Sequence, residues 1–350
     1  MNTRAPRTAA ALAASLLVIF SCAVAAGAQT AAAEKAFRGW VGRYPVRMTL
    51  RRGAGGGLAG SYSYEGRAGS LRLKGSSDGK GGFTLEEFDG SKRTGVFKGQ
   101  WREKAHEPEA TLQGDWARPG GGGEQSFTLV EELVAGPRLT SRRIDEENKA
   151  RGYTVEAVYP RVEGAEKFNA LVEQLVTKEV GDFKRGRGER PPAGAPLNSL
   201  RVGYQMRLAN EHLQSVVFTV SQLEHGMAHH AYTFFVVNYD AKAGRRLALA
   251  DLFKPGSDYL QRISAAAVAR LRLLNKEDGD SFLLDAEYAE NASAKPENYQ
   301  HWTLTERGLA VTFEPYQVGP FAAGSPNVLI PYAELKDVIR PGGPLAAHAN

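Results

Sequence analysis

Gly95-Val96-Phe97-Lys98-Gly99-Gln100-Trp101 and Ala110-Thr111-Leu112-Gln113-Gly114-Asp115-Trp116 carry the pattern that decides the fold of the first half of the chain. Apolar and polar residues alternate with a period of two. This turns one face of an extended strand inward and the other outward. The same grammar runs outward in both directions, through Leu58–Tyr64, Ser70–Lys74 and Gly82–Glu86 on one side and Gln125–Leu129 on the other. Gly-rich turns separate these segments, the spacing of an antiparallel meander or small barrel. We expect an all-β domain over residues 37–133, of about seven strands. Gly60-Ser61-Tyr62, Gly99-Gln100-Trp101 and Gly114-Asp115-Trp116 repeat a glycine two places before an aromatic. They read as strand-end glycines beside inward rings.

Two literal motif matches in this region are rejected on context. Gly55-Gly56-Gly57-Leu58-Ala59-Gly60 fits the dinucleotide fingerprint, but an alternating strand follows it where a helix is required. Gly75-Ser76-Ser77-Asp78-Gly79 fits a nucleophile elbow, but Lys80-Gly81-Gly82 continues it as a polar loop and not as a helix.

At the N-terminus, Arg4 and Arg7 precede an apolar run from Ala9 to Ala26, which is followed by Ala26-Gly27-Ala28. Charged n-region, apolar h-region and small-residue site together read as a secretory signal over residues 1–28. The expected location is therefore periplasmic or secreted, with no transmembrane span after cleavage. Ile19-Phe20-Ser21-Cys22 offers a second reading as a lipobox, with Cys22 carrying lipid. Cys22 is the only cysteine, so cleavage after Ala28 leaves a chain without disulfides. The formal charge of +5 falls to +3 once Arg4 and Arg7 are removed. No basic stripe is interleaved with aromatics, which argues against a nucleic-acid partner.

From residue 139 the grammar changes. Phe168, Leu171, Val172, Leu175, Val176 and Phe183 make the apolar stripe of a helix within 163–185. Lys184–Pro192 reads as a basic connector. Gln214–Leu223 and Tyr232–Tyr239 read as strands joined by Glu224-His225-Gly226-Met227-Ala228-His229-His230-Ala231. Ser257 is the expected N-cap of a helix reaching Asn275, with Leu260, Ile263, Ala267, Leu271 and Leu274 buried. Strands follow at 302–304, 309–313 and 327–331, then a short helix from Tyr332, and a tail at 341–350 expected to be disordered. The second domain, 139–340, is thus expected to be α+β, a mixed antiparallel sheet with two main helices.

Several motifs here occur together and in order: His225-Gly226-Met227-Ala228-His229, Asn238-Tyr239-Asp240, Leu249–Phe253, Thr305–Gly324 and Val328–Tyr332 with Leu335. Residues 198–340, and more weakly 150–197, resemble the RsiV-like extracytoplasmic domain family, a domain of unknown function. That module forms the C-terminal part of an anti-sigma factor and stands beside the catalytic domain of the peptidoglycan deacetylase PdaC. Too few residues precede the apolar stretch for a sigma-inhibiting domain, and no segment has the shape of a deacetylase. What the resemblance implies is a ligand-binding module of the cell envelope. Its known ligand, lysozyme, is cationic, and the acidic stretch 277–297 suits such a partner; peptidoglycan is the other candidate.

No catalytic, cofactor or metal constellation is assigned. His225, His229 and His230 flank a Gly turn, where the one-face geometry of a helical zinc pair is lacking. Asp240, Asp251, Glu306 and Glu314 read as surface charge or turn caps. Tyr232, Phe234 and Phe235 read first as core residues. Pro315–Phe321 is the exception, because two prolines stiffen a loop that can present aromatics. The expected partner-contacting residues are His225, Gly226, His229, His230, Tyr316 and Phe321. The alternative function is an envelope hydrolase or deacetylase. It requires a pocket that gathers at least two of His225, His229, Asp240 and Glu314.

Overall fold

A computed structural model describes residues 34–348, apart from 66, 133–135, 187–190, 193, 278 and 280–282. The signal segment, Cys22 and residues 187–190 of the basic connector lie outside the described residues. Residues 33–350 form one compact unit.

Eight strands open the unit: β1 (Glu34–Val41), β2 (Tyr44–Arg52), β3 (Gly57–Tyr64), β4 (Leu71–Ser77), β5 (Gly82–Asp89), β6 (Lys92–Arg102), β7 (Thr111–Ala117) and β8 (Gln125–Glu132). Each pairs antiparallel with the next, and β1 pairs with β8, so the barrel is closed and up-and-down. Strands β3–β8 match the six alternating segments of the sequence, and the hairpin β1–β2 brings the total to eight against the expected seven or so. Its two-residue turn places Gly42 at φ 57°, and the inward residues Val46, Met48 and Leu50 alternate with Arg47, Thr49 and Arg51.

Side chains fill the barrel. Phe37 meets Trp101 edge-on at 5.2 Å, and Phe97 meets Phe127 at 5.3 Å. One buried carboxylate sits among them. Glu87 accepts from the Tyr62 hydroxyl, from Trp116 Nε1 at 2.8 Å and from Thr94 Oγ1 at 2.6 Å. The repeated glycines are mid-strand and not at strand ends. Gly99 pairs directly with Gly114, and a Cβ on Gly60 would stand 1.9 Å from the Thr49 carbonyl oxygen. Neighbouring backbones close in at these points, so the glycines permit strand approach and do not mark turns.

The second sheet has the order β14-β13-β12-β11-β10-β9. Its strands are β9 (Leu139–Asn148), β10 (Tyr153–Val162), β11 (Asn198–Ala209), β12 (Leu213–Leu223), β13 (Ala231–Asp240) and β14 (Arg245–Arg246). Only β10 and β11 run parallel, and the helix α1 (Glu166–Arg185) is their crossover. Phe168, Val172, Val176, Val180 and Phe183 bury its inner face, with Leu171 and Leu175 partly covered. Asn169 binds both backbone groups of Val162, at 2.8 and 2.7 Å, and so fixes the strand-to-helix corner.

A smaller antiparallel sheet, β15 (Trp302–Leu304), β16 (Gly308–Thr312) and β17 (Asn327–Pro331), packs with α2 (Tyr259–Glu277) and α3 (Tyr332–Leu335). Ser215 Oγ accepts the Leu304 N–H at 2.8 Å and Asn238 Nδ2 donates to the Trp302 carbonyl at 2.8 Å, which ties the two sheets together. The architecture is thus a barrel followed by an α+β fold with two long helices and one short one.

Two details differ from expectation. Ser257 does not cap α2; its hydroxyl donates back to the Lys254 carbonyl at 2.7 Å, and the helix starts two residues later. Residues 341–348 are not a disordered tail. Leu345 is 2% exposed, and the His348 ring lies 4.3 Å from that of Tyr332.

The barrel is fastened to the rest through the loop between β6 and β7. The His106 carbonyl accepts the Leu329 N–H at 2.8 Å, and Arg307 Nη2 donates to the carbonyls of Glu107 and Pro108 at 2.9 and 2.7 Å. Lys104 pairs with Glu277, and His106 Nε2 lies 3.3 Å from the same carboxylate. Beneath this layer, Arg207 Nε stands 2.5 Å from Glu109 Oε1, with both side chains buried. Arg207 is the extra residue of a β-bulge in β11, which re-aims its side chain. Distance makes this contact an ion pair, but its direction misses hydrogen-bond geometry, so Arg207 Nε and Nη1 and Glu109 Oε1 have no aligned partner among the described residues.

Candidate binding site

The first half of β13 extends past the three residues of β15. Burial therefore begins only at Val237, and Tyr232 is 39% exposed where the sequence suggested core. Phe234 is half-buried, with its ring 6.1 Å from that of His301. Against this uncovered edge lies the loop after β16. Phe321 stacks on His229 at 4.2 Å and 26°, stands 6.4 Å from Tyr232 and 5.6 Å from Tyr316. His230 continues the row, stacked on Tyr232 at 6.1 Å, with Nδ1 2.9 Å from Ser221 Oγ. Tyr316 is 56% exposed and holds φ 67°, a region that costs a non-glycine residue about 1 kcal/mol or more. The result is a shelf of five rings, of which His229, Tyr232 and Tyr316 are exposed and His230 and Phe321 half-buried.

Of the expected contact residues, His229, His230, Tyr316 and Phe321 fall on this shelf. His225 and Gly226 do not. His225 contributes its N–H to Asn198 Oδ1 at 2.7 Å, and Gly226 turns the chain at φ 90°. Tyr232 completes the row although its alternation in the strand gave no sign of exposure.

Beside the shelf opens a polar cavity of about 430 Å³, lined by Asn291, Glu297, Asn298, Gln300, His301, Glu314 and Gln317. Among His225, His229, Asp240 and Glu314, only Glu314 lines it. Its partner is His301, Nε2 to Oε1 at 3.1 Å, a pair the sequence reading missed because thirteen positions separate the two residues. Asp240 and Asp251 are turn caps, accepting the N–H groups of Ala243 and Ala248, each at 2.8 Å. Within the acidic stretch, Glu277 pairs with Lys104 of the barrel loop, and Glu290, with its side chain exposed, pairs with Lys295 at 2.5 Å. Among the described residues, no group of three or more His, Cys, Asp or Glu is placed to hold a metal ion. No described helix is long and apolar enough to cross a membrane.

Burial pushes the His301 imidazolium below its ordinary 6.5, with Glu314 pulling the other way. A lowered histidine stabilises the fold fully above its ordinary value, and this stability is lost as pH falls through the depressed value. An NMR titration of the ring is expected to give a midpoint below 6.5. In Glu314→Gln the midpoint is expected to fall further, since the carboxylate is what holds it up. A midpoint that rises in the variant would show the pair is not formed.

Barrel, mixed sheet and exposed shelf define a two-part β-rich chain with a solvent-exposed aromatic edge in its second part. Residues 250–333 match the family model "Protein of unknown function (DUF3298)". The chain carries this domain within the span whose motifs resemble the RsiV-like, PdaC-associated module. It is 27% identical over 177 residues to the peptidoglycan-N-acetylmuramic acid deacetylase PdaC of Bacillus subtilis, covering 50% of this chain and 37% of PdaC. The chain therefore spans little more than a third of that relative. It is 25% identical over 170 residues to the immunogenic protein MPT64 of Mycobacterium tuberculosis, covering 48% of this chain and 71% of MPT64. A solved DUF3298 family protein from Pseudomonas aeruginosa superposes with a TM-score of 0.44 at 18% identity, over 58% of this chain and 95% of that one.

Proposed function

We propose that this protein is an exported, non-catalytic binding protein of the cell envelope, which holds an envelope protein or peptidoglycan on the aromatic shelf. The observation that carries this reading is the row of rings at the edge of β13, in which His229, Tyr232 and Tyr316 are exposed and His230 and Phe321 half-buried between them. Exposed aromatics with few rotatable bonds supply contact area at low entropic cost. The signal-like N-terminus and the similarity to an enzyme named for peptidoglycan support the location.

The test is capture of purified sacculi, envelope extract and lysozyme by the protein and by Tyr316→Ala. One saturable ligand is expected, with affinity about tenfold lower or worse in the variant. Absence of saturable binding to all three removes the reading. A hydrolase or deacetylase is the second reading, favoured by the His301–Glu314 pair on a polar cavity. Release of acetate or reducing ends from peptidoglycan, abolished in His301→Ala, would establish it instead.

A further inference from the structure

Three loops meet at the polar cavity, and Gln317 fastens them. Its Nε2 donates to the carbonyls of Asn291 and Asn298 at 3.3 and 3.0 Å, and its Oε1 accepts the Glu314 N–H at 3.0 Å. The other amides are held just as firmly. Asn291 Nδ2 donates to the Gln317 carbonyl at 2.9 Å, Asn298 Nδ2 to the carbonyls of Glu290 and Ser293 at 3.2 and 3.1 Å, and Gln300 Nε2 to the Glu297 carbonyl at 3.1 Å. These bonds fix which end of each amide is which. The donor ends are engaged in holding the loops. The side-chain oxygens of Asn291, Asn298 and Gln300 accept no hydrogen bond among the described residues.

Two carboxylates, Glu297 and Glu314, line the same space, and His301 Nε2 is 3.1 Å from Glu314 Oε1. The lining residues thus offer unengaged amide oxygens and two carboxylates. Such a wall selects a cationic group rich in donors, and an ammonium offers three donors and no acceptor. At about 430 Å³ the cavity falls in the range of small-molecule sites, about 300–1,000 Å³, and has room for a ring as well as a charged head. Tyr316, 56% exposed, stands in the chain between two lining residues, Glu314 and Gln317, so the loop that carries its ring also forms part of the cavity.

We infer that the cavity takes the ammonium of an amino sugar, with the C–H face of the saccharide lying on Tyr316 and the neighbouring rings. The ligand class is an oligosaccharide with free amino groups, whether in wall glycan or as a soluble oligomer. This inference rests on the shelf being the contact surface, as proposed above.

Isothermal titration with a glucosamine tetramer, an N-acetylglucosamine tetramer and tetralysine tests it. The glucosamine tetramer is expected to bind, about tenfold or more tighter than the N-acetylated tetramer, whose nitrogen no longer carries charge. Glu314→Gln and Tyr316→Ala are each expected to weaken it by about tenfold or more. Equal binding of the two tetramers, or unchanged affinity in Glu314→Gln, overturns the inference. Tetralysine binding as tightly, with the same dependence on Glu314, overturns its saccharide part. If Glu314→Gln fails to melt cooperatively, the exposed Glu297→Gln decides in its place, with a loss of affinity expected. Sacculus capture that depends on Tyr316 without any glucosamine-tetramer affinity removes this inference and leaves the binding reading standing; loss of both removes both. Competition of that capture by the soluble tetramer tells wall glycan from free oligosaccharide, and either source satisfies the inference.

Discussion

Arg207→Met is expected to destabilise the protein by about 3–5 kcal/mol, the range for removing one partner of a buried ion pair. Arg207 and Glu109 are both buried, 2.5 Å apart, where the barrel loop meets β11. Methionine fills most of the volume but leaves a buried carboxyl in this seam without its paired guanidinium, with the more distant Arg307 as the remaining cation acting on it. Arg207 Nη2 also donates to Asn327 Oδ1 at 3.2 Å, so a link to β17 is lost with it. In Arg207→Met/Glu109→Gln no charge remains, and most of the loss is expected to be recovered. Urea denaturation followed by tryptophan fluorescence measures both. A single-variant loss below about 1 kcal/mol would mean that the seam is wet and the pair is solvated.

The pH dependence of that loss has a definite sign. Burial pushes the Glu109 carboxyl up to about 7, against the pull of Arg207, and pushes the Arg207 guanidinium down. A raised carboxyl contributes stability that is complete below its ordinary value of 4.5 and is lost as pH rises through about 7. Without Arg207 the carboxyl is easier still to keep neutral. The deficit of Arg207→Met is therefore expected to be smaller at pH 5 than at pH 8.

Which parts of this arrangement the sequence carries follows from how far apart the interacting residues lie. Strands β3 to β8 were legible because alternation and Gly turns are local. The hairpin β1–β2 was not counted, since Arg47, Arg51 and Arg52 mask the inward Val46, Met48 and Leu50. The charged run Arg142–Glu147 likewise hid β9, whose exposed edge those charges protect. Four of the six residues expected to contact a partner share the shelf, because a rigid Pro-bounded loop and a Gly-containing hairpin are local signals too. Tyr232 was misjudged: whether a strand residue is covered depends on how far the neighbouring sheet reaches, and β15 stops short. His301 with Glu314, and Arg207 with Glu109, are pairs made only by tertiary structure, and neither partner carries a local sign of the other.

Glu87→Ala is expected to cost about 3 kcal/mol or more, and the reason lies in the count of donors it would strand. The Tyr62 hydroxyl, Trp116 Nε1 and Thr94 Oγ1 all converge on this one carboxylate inside the barrel. A buried donor left without an acceptor costs about 1–3 kcal/mol. Tyr62, 1% exposed, can find no water; Thr94 and Trp116 are half-buried and recover part of theirs. Burial and the bond to Glu87 raise the Tyr62 phenol far above its ordinary range, so it stays a donor at every pH where the barrel is folded. Glu87→Gln tests the donor logic apart from the volume. Its amide keeps one acceptor oxygen but sets N–H groups against a site served by three donors, so a loss of about 1–2 kcal/mol is expected where simple isostery predicts none. Urea midpoints for the two variants, with Trp116 emission as a local reporter, measure both. Equal stability of Glu87→Gln and the unaltered protein would show that the carboxylate is not the acceptor that closes this end of the barrel.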